Sequence, residues 1–116
     1  MSDIITVNQP ITRQQLKNIA AQRFGDFVKA VVDIEQKLMA LGGELHADEE
    51  AFLLDQGSEQ ANLWGINLYP SLGMPQMLEF DSMINIRPSV GNTSRHVENV
   101  EVQKQIYAIV AQLIKE

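Results

Sequence analysis

The chain has 116 residues, of which 45% are hydrophobic and 21% are charged, and its formal net charge at pH 7 is −6. This length and composition are typical of a globular protein, and we expect residues 1–116 to form a single domain. The absence of cysteine excludes disulfides, thiol catalysis and cysteine metal sites.

The charges are unevenly distributed along the chain. Residues 38–86 contain no lysine or arginine and carry eight carboxylates. Such an acidic stretch repels a phosphate backbone, so we expect no duplex nucleic-acid partner. Residues 82–97 contain no carboxylate but include Arg87, Arg95 and His96, which makes them a small basic island in an acidic chain.

The sequence also predicts the compartment. The start, MSDIITVNQP, lacks the basic segment and the apolar run of a signal peptide. No apolar segment approaches the roughly 18 residues that span a membrane. We therefore expect a cytoplasmic protein with no membrane partner.

The first half of the chain predicts a strand, a helix and a hairpin. Residues 3–7, DIITV, are β-branched and predict an edge strand. Thr12 predicts a helix N-cap with Gln15 at the capping-box position, and Gly25 predicts the helix stop. FVKAVVDIE and KLMALGGEL predict two antiparallel strands. Alternation in the first of them points Val28, Ala30, Val32 and Ile34 inward and Lys29, Asp33 and Glu35 outward.

The second half predicts a helix, two strands and a final helix. Residues 48–56, DEEAFLLDQ, favour a short helix, with a strand as the competing interpretation. Residues 63–69 alternate as a strand. Residues 78–87 predict another strand that ends at Pro88, with Phe80, Ile84 and Ile86 on its inward face. Asn99 predicts the cap of the last helix, whose buried face would be formed by Val102, Ile106, Ile109 and Leu113.

The order β-α-β-β-α-β-β-α predicts an α+β fold. We expect a single antiparallel sheet of about four to five strands with helices packed on one face. The opposite face would be polar and open. It would carry Lys29, Asp33, Glu44, His46, Asn67, Tyr69, Glu79, Asp81, Asn85 and Arg87.

Three segments together are similar to a known family: GGELHADEEAFLLDQGS, LWGINLYP and EFDSMINIRPSVGNTSR. They resemble small bacterial and archaeal proteins catalogued as a domain of unknown function, over nearly the whole chain. The chain departs from that pattern in two ways. Asn99 and Val100 stand where an aspartate and a proline usually open the last helix, and a smaller residue often lies near His96. The resemblance implies a compact cytoplasmic domain and no particular activity.

Arg87, Asn92 and Arg95 are candidates for an anion site. Arginine presents a rigid fork of donors that suits carboxylate or phosphate. Asn67, Tyr69 and Asn85 share the predicted polar face and are further candidate ligand contacts. The alternative is structural, with Arg87 in an ion pair across the sheet to Glu79, Asp81 or Glu44.

His46 is a candidate general base, and Glu79 and Asp81 form a same-face carboxylate pair that could assist it. If the strand continues past the Gly-Gly pair, His46 would share a face with Glu44. The alternative is a structural histidine near a helix start. The spacing of ligand residues predicts no metal site, and no cofactor is expected. Trp64 lies on the apolar side and is expected in the core.

The leading hypothesis is a non-catalytic binding or interaction module, with a small anionic ligand and a homodimer as candidate partners. The alternative is a small hydrolase or nuclease-like enzyme that acts on an anionic substrate through His46, Arg87 and Arg95. No sequence motif specifies a reaction.

Overall fold

The computed structural model describes residues 3–116 and contains a main sheet of five strands. The strands are β1 (Ile5–Val7), β3 (Val28–Asp33), β4 (Leu38–Leu41), β5 (Leu63–Leu68) and β6 (Leu78–Glu79). Their order is β1-β4-β3-β5-β6, and every neighbouring pair is antiparallel. The helices are α1 (Arg13–Ala21), α2 (His46–Asp55) and α3 (Val100–Leu113). The α+β class, the antiparallel sheet and the edge position of β1 are therefore confirmed.

Two short strands were not predicted. They are β2 (Ile11–Thr12) and β7 (Ile114–Lys115), which pair in parallel and bring the start of α1 beside the end of α3. Arg13 strengthens this junction, because its guanidinium donates to the Glu116 carboxylate at 3.0 and 2.5 Å.

Helices α1 and α3 begin where the sequence predicts. Thr12 and Gln15 form the capping box, with hydrogen bonds of 3.0 and 2.8 Å, and Asn99 caps α3. Both helices pack on the same face of the sheet. Their apolar side chains and the inward residues of β3 and β5 form the first core, which includes Leu16, Ala20, Val28, Ala30, Val32, Trp64, Ile66, Ile106, Ile109 and Leu113.

Helix α2 confirms the helical interpretation of residues 48–56, but its position corrects the expectation that helices cover one face only. It packs on the other face, where Leu53 joins Val31, Ala40 and Leu63 in a second core. Both sides of β3 and β5 are apolar near their centres, so both sides need cover. The predicted open polar face is therefore largely closed.

The strand predicted over residues 78–87 is wrong beyond Glu79. The chain leaves the sheet there and forms two 3-10 turns, Met83–Asn85 and Pro88–Val90. Ile86 is 38% exposed instead of inward, and Asn85 is fully buried instead of facing solvent. Ile84 packs against the second core, on the side opposite to the predicted one.

Asp33 was predicted to point to solvent and is buried instead. Its carboxylate organises the turn after β3, where it accepts hydrogen bonds from the backbone N–H groups of Glu35 and Gln36, both at 2.9 Å. The Ser58 hydroxyl also donates to it, at 2.7 Å. A buried carboxylate is tolerated here because each oxygen is hydrogen-bonded.

Within residues 3–116, none of the helices combines the length and the apolar composition that crossing a bilayer requires.

Candidate functional site

After β6 ends, side chains instead of a strand form the hydrogen bonds along the edge of β5. Strand β6 pairs only with Asn67 and Leu68. Further along the same edge, the Asn85 amide accepts from the Gly65 N–H at 2.8 Å and donates to the Gly65 carbonyl at 2.9 Å. Beyond it, the Arg87 guanidinium donates to the Leu63 carbonyl. Asn85 thus supplies the donor and acceptor that a neighbouring strand would supply.

The 82–85 segment lies very close to β5 at Gly65. A Cβ atom at that position would be 2.5 Å from Cβ and Oγ of Ser82 and 3.1 Å from Cγ1 of Ile84. Only glycine therefore allows Ser82 and Asn85 to approach the strand.

Asn92 holds the polar loop together from within. Its amide nitrogen donates to the carbonyls of Asn85 and His96, both at 2.7 Å, and its amide oxygen accepts from the Glu98 N–H at 2.9 Å. Asn92 is buried, as is Asn85. The structure therefore places these two candidate ligand residues inside the loop, with their amides hydrogen-bonded to backbone.

Arg87 packs against Trp64 and α2. Its guanidinium carbon lies 4.9 Å from the centroid of the Trp64 ring, and its Nη2 is 3.6 Å from the Glu50 carboxylate. Burial lowers the pKa of Arg87, and the nearby Glu50 opposes that shift. The structural alternative for Arg87, an ion pair, is present, but its partner is Glu50 instead of Glu79, Asp81 or Glu44. Trp64 is in the core, as predicted.

One end of the second sheet face stays uncovered by α2. There Lys29, Asn67 and Glu79 are direct cross-strand neighbours on β3, β5 and β6. We call these three residues the polar row. The first turn of α2 and the 81–84 segment border it and enclose a pocket of about 480 Å³. The lining residues are Phe27, Lys29, Leu45, His46, Ala47, Asn67, Tyr69, Glu79, Asp81, Ser82, Met83, Ile84 and Arg95.

Six of the nine candidate residues meet in this pocket: His46, Asn67, Tyr69, Glu79, Asp81 and Arg95. The other three, Asn85, Arg87 and Asn92, do not line it. The six come from the start of α2, from β5 and the residue after it, from the beginning of the 78–87 segment and from the polar loop. Arg87 lies outside the pocket because it packs against Trp64 and Glu50.

Hydrogen bonds hold the carboxylates of the pocket in place. Glu79 accepts from the Asn67 amide at 2.9 Å and from the Tyr69 hydroxyl at 3.1 Å. Burial, with a smaller contribution from Glu79, raises the pKa of Tyr69, so its hydroxyl keeps its proton at neutral pH. Asp81 accepts from Nε of Arg95 at 2.5 Å.

His46 is the first residue of α2, which agrees with the structural alternative for this histidine. The idea that it shares a strand face with Glu44 is wrong, because β4 ends at Leu41. Nε2 of His46 lies 2.8 Å from the Ile66 carbonyl and must donate to it, since a carbonyl can only accept. Burial lowers the pKa of His46, so the neutral ring leaves Nδ1 as an acceptor.

The acidic residues near His46 in sequence separate in space. Glu44 and Asp48 line a different groove, beside Arg23 and Asp55. Glu49 is fully buried and accepts from the Gly43 N–H at 3.0 Å. Burial raises the pKa of Glu49 to about 9, so it is uncharged at neutral pH. In the described part of the chain, no three histidine or acidic side chains are arranged to hold a metal ion.

Several pocket residues were not among the candidates. Lys29 was predicted on the polar face but not as a ligand contact, and Phe27, Leu45 and Met83 were not predicted as site residues. Leu45 and Met83 are 55% and 65% exposed, respectively. Their exposure could not be read from the sequence, because it depends on how α2 and the 81–84 segment meet.

A family model described as "Protein of unknown function (DUF5674)" matches residues 5–113. The chain belongs to this family. The match covers every element of the main sheet, all three helices and the whole pocket, and it agrees with the resemblance to a domain of unknown function. No curated protein and no solved structure matches the chain.

Proposed function

We propose that this member of the family is a non-catalytic binding module that holds a small polar ligand in the pocket beside the polar row. The observation that carries the proposal is the convergence of six candidate side chains from four separate segments on one pocket. Concave sites with a few convergent polar groups and an apolar rim are where small ligands usually bind.

The hydrogen bonds of the pocket favour binding over catalysis. A nucleophile needs a base within hydrogen-bonding distance. The hydroxyl that borders the pocket at Ser82 is buried and accepts from the Ile84 N–H at 3.2 Å. Nε2 of His46 is engaged by Ile66, and both carboxylates hold neighbouring side chains. These contacts support a rigid recognition surface.

The hydrolase or nuclease-like alternative has one observation in its favour, which is the neutral His46 ring with an acceptor at Nδ1. It gains no support from Arg87, which it needs for substrate binding, because that guanidinium contacts Trp64, Glu50 and the Leu63 carbonyl. An activity that survives in His46→Gln would rule it out.

The proposal is tested by amide NMR of the full chain with a defined panel at millimolar concentration: acetate, ethylammonium, glycine, phenylalanine, phosphate and glucose. We expect at least one compound to shift the amides of His46, Asn67 and Tyr69 in a saturable way. The shifts should weaken strongly in Arg95→Gln and persist in Lys104→Gln, a matched loss of charge on the exposed side of α3. Saturable shifts that lie elsewhere, or no shifts with any compound, would overturn the proposal.

A further inference from the structure

The pocket contains both hydrogen-bond donors and acceptors that have no partner among residues 3–116. On the acceptor side, Asn67 is 8% exposed, and its amide oxygen accepts no hydrogen bond from residues 3–116. A buried carbonyl without a donor is costly, so this atom favours a ligand that brings an N–H or ammonium group. Glu79 lies beside Asn67 and adds negative charge at the same place.

On the donor side, two cations line the pocket. Arg95 uses Nε for Asp81, and within residues 3–116 its two terminal nitrogens make no hydrogen bond. Lys29 lies over the Phe24 ring, with Nζ 5.2 Å from the ring centroid, and forms no ion pair with the described carboxylates. Both cations are therefore available to an anionic group.

The start of α2 adds to this donor side. Leu45 is the N-cap of α2, and its side chain forms no capping hydrogen bond. Leu45, His46 and Ala47 all line the pocket, so this uncapped helix start faces it. An uncapped helix start presents unsatisfied N–H groups and a partial positive charge. It strengthens the attraction of Lys29 and Arg95 for an anion.

The charges of the pocket balance. Lys29 and Arg95 oppose Glu79 and Asp81, and His46 is neutral. A ligand with only an anionic group would meet two carboxylates, and a ligand with only a cationic group would meet two cations. The exposed Leu45 and Met83 at the rim offer contact to an apolar portion.

On the basis of the proposed function, we infer that the ligand is a zwitterion with an apolar side group, of the class of free amino acids and short peptides. Its carboxylate lies between Lys29, Arg95 and the start of α2. Its ammonium group donates to the Asn67 amide oxygen and to Glu79. Leu45 and Met83 contact its apolar part.

The test uses three compounds of nearly the same shape: phenylalanine, N-acetylphenylalanine and phenylalanine amide. Binding to the full chain is measured by amide NMR titration, and phenylalanylphenylalanine tests a longer separation of the two charges. We expect one of the two zwitterions to bind about tenfold or more tightly than both single-charge compounds. Arg95→Gln and Glu79→Gln should each weaken zwitterion binding by a similar factor, while Lys104→Gln should not.

The outcomes separate this inference from the proposed function. If N-acetylphenylalanine or phenylalanine amide binds in the pocket as tightly as the zwitterions, the ligand class is wrong and the binding module stands. The same holds if only another compound of the panel binds there. If no compound of either set shifts the pocket amides, both conclusions fall. Glu79→Gln keeps an oxygen that can accept from Asn67 and Tyr69, so its effect reports the charge.

Discussion

The side chain of Asn85 pairs with the backbone of Gly65 as a strand would, through one donated and one accepted hydrogen bond. Because of this pairing, the chain can leave the sheet after Glu79 while the backbone N–H and carbonyl of Gly65 in β5 keep hydrogen-bond partners. It also brings Ser82 and Asp81 to the border of the pocket. The polar loop is therefore a structural extension of the sheet, and the pocket lies where that extension diverges from β6.

Asn85→Ala should lower the free energy of unfolding by about 2–4 kcal/mol, because it leaves the N–H and the carbonyl of Gly65 buried without partners. Urea unfolding followed by circular dichroism measures the change. Asn18→Ala, on the exposed side of α1, is the control and should change stability by no more than about 0.5 kcal/mol. Equal stability of the two variants would show that the Asn85 pairing contributes nothing.

Gly65→Ala should be destabilising by about 1–3 kcal/mol, because the new Cβ would be 2.5 Å from Ser82. Gly73→Ala is the matched control, since a Cβ there has no neighbour within 4 Å. Thermal unfolding of both variants measures the difference. A Gly65→Ala protein as stable as the Gly73→Ala protein would contradict the close approach of the 82–85 segment.

Replacing Arg87 should mainly reduce stability, whereas replacing Arg95 should mainly reduce ligand binding. Arg87→Ala uncovers Trp64 and leaves Glu50 without its cation, so we expect a loss of about 2–4 kcal/mol in unfolding free energy. Arg95→Ala removes an ion pair whose arginine is 54% exposed, so its cost should be about 0–1 kcal/mol. In ligand titration, Arg95→Ala should weaken binding more than Arg87→Ala does. If Arg95→Ala is the more destabilising variant, the assignment of the two roles is wrong.

Glu49 should make the protein less stable as the pH rises. In the unfolded chain Glu49 ionises near its ordinary pKa of 4.5, whereas burial raises the folded pKa to about 9. Between these two pKa values the unfolded chain therefore binds fewer protons than the folded protein. The stabilisation that Glu49 provides is complete below the unfolded pKa and is lost as the pH rises through the folded pKa.

Thermal unfolding between about pH 5 and about pH 9 tests this linkage. The melting temperature of the wild type should fall over this range, and Glu49→Gln should remove most of that fall. Glu101→Gln, on the exposed side of α3, should keep the slope of the wild type. Parallel slopes for wild type and Glu49→Gln would contradict a protonated Glu49.

Self-association remains a prediction for the full chain of 13.0 kDa. The side chains of Ile86, Val90 and Val100 are 38%, 56% and 58% exposed and could contribute apolar area to a subunit contact. Light scattering at high protein concentration should give twice the chain mass. The mass of one chain under the same conditions would refute the homodimer.

The sequence alone determined the α+β class, the caps of α1 and α3 and most of the first core. These follow from local rules, because the Thr12–Gln15 box, the Asn99 cap and the alternation of β3 and β5 depend on neighbouring residues. The same alternation placed Asn67 and Tyr69 away from that core, and both line the pocket.

Only the tertiary structure decided the position of α2, the end of β6 and the contacts of the two arginines. Alternation tells which way a side chain points while a strand continues, but not where the chain leaves the sheet. Asn85 could replace a strand only because Gly65 leaves room for it, and the two are 20 residues apart. Arg87 and Glu49 are likewise buried by distant parts of the chain, whose contacts determine both their charge and their availability to a ligand.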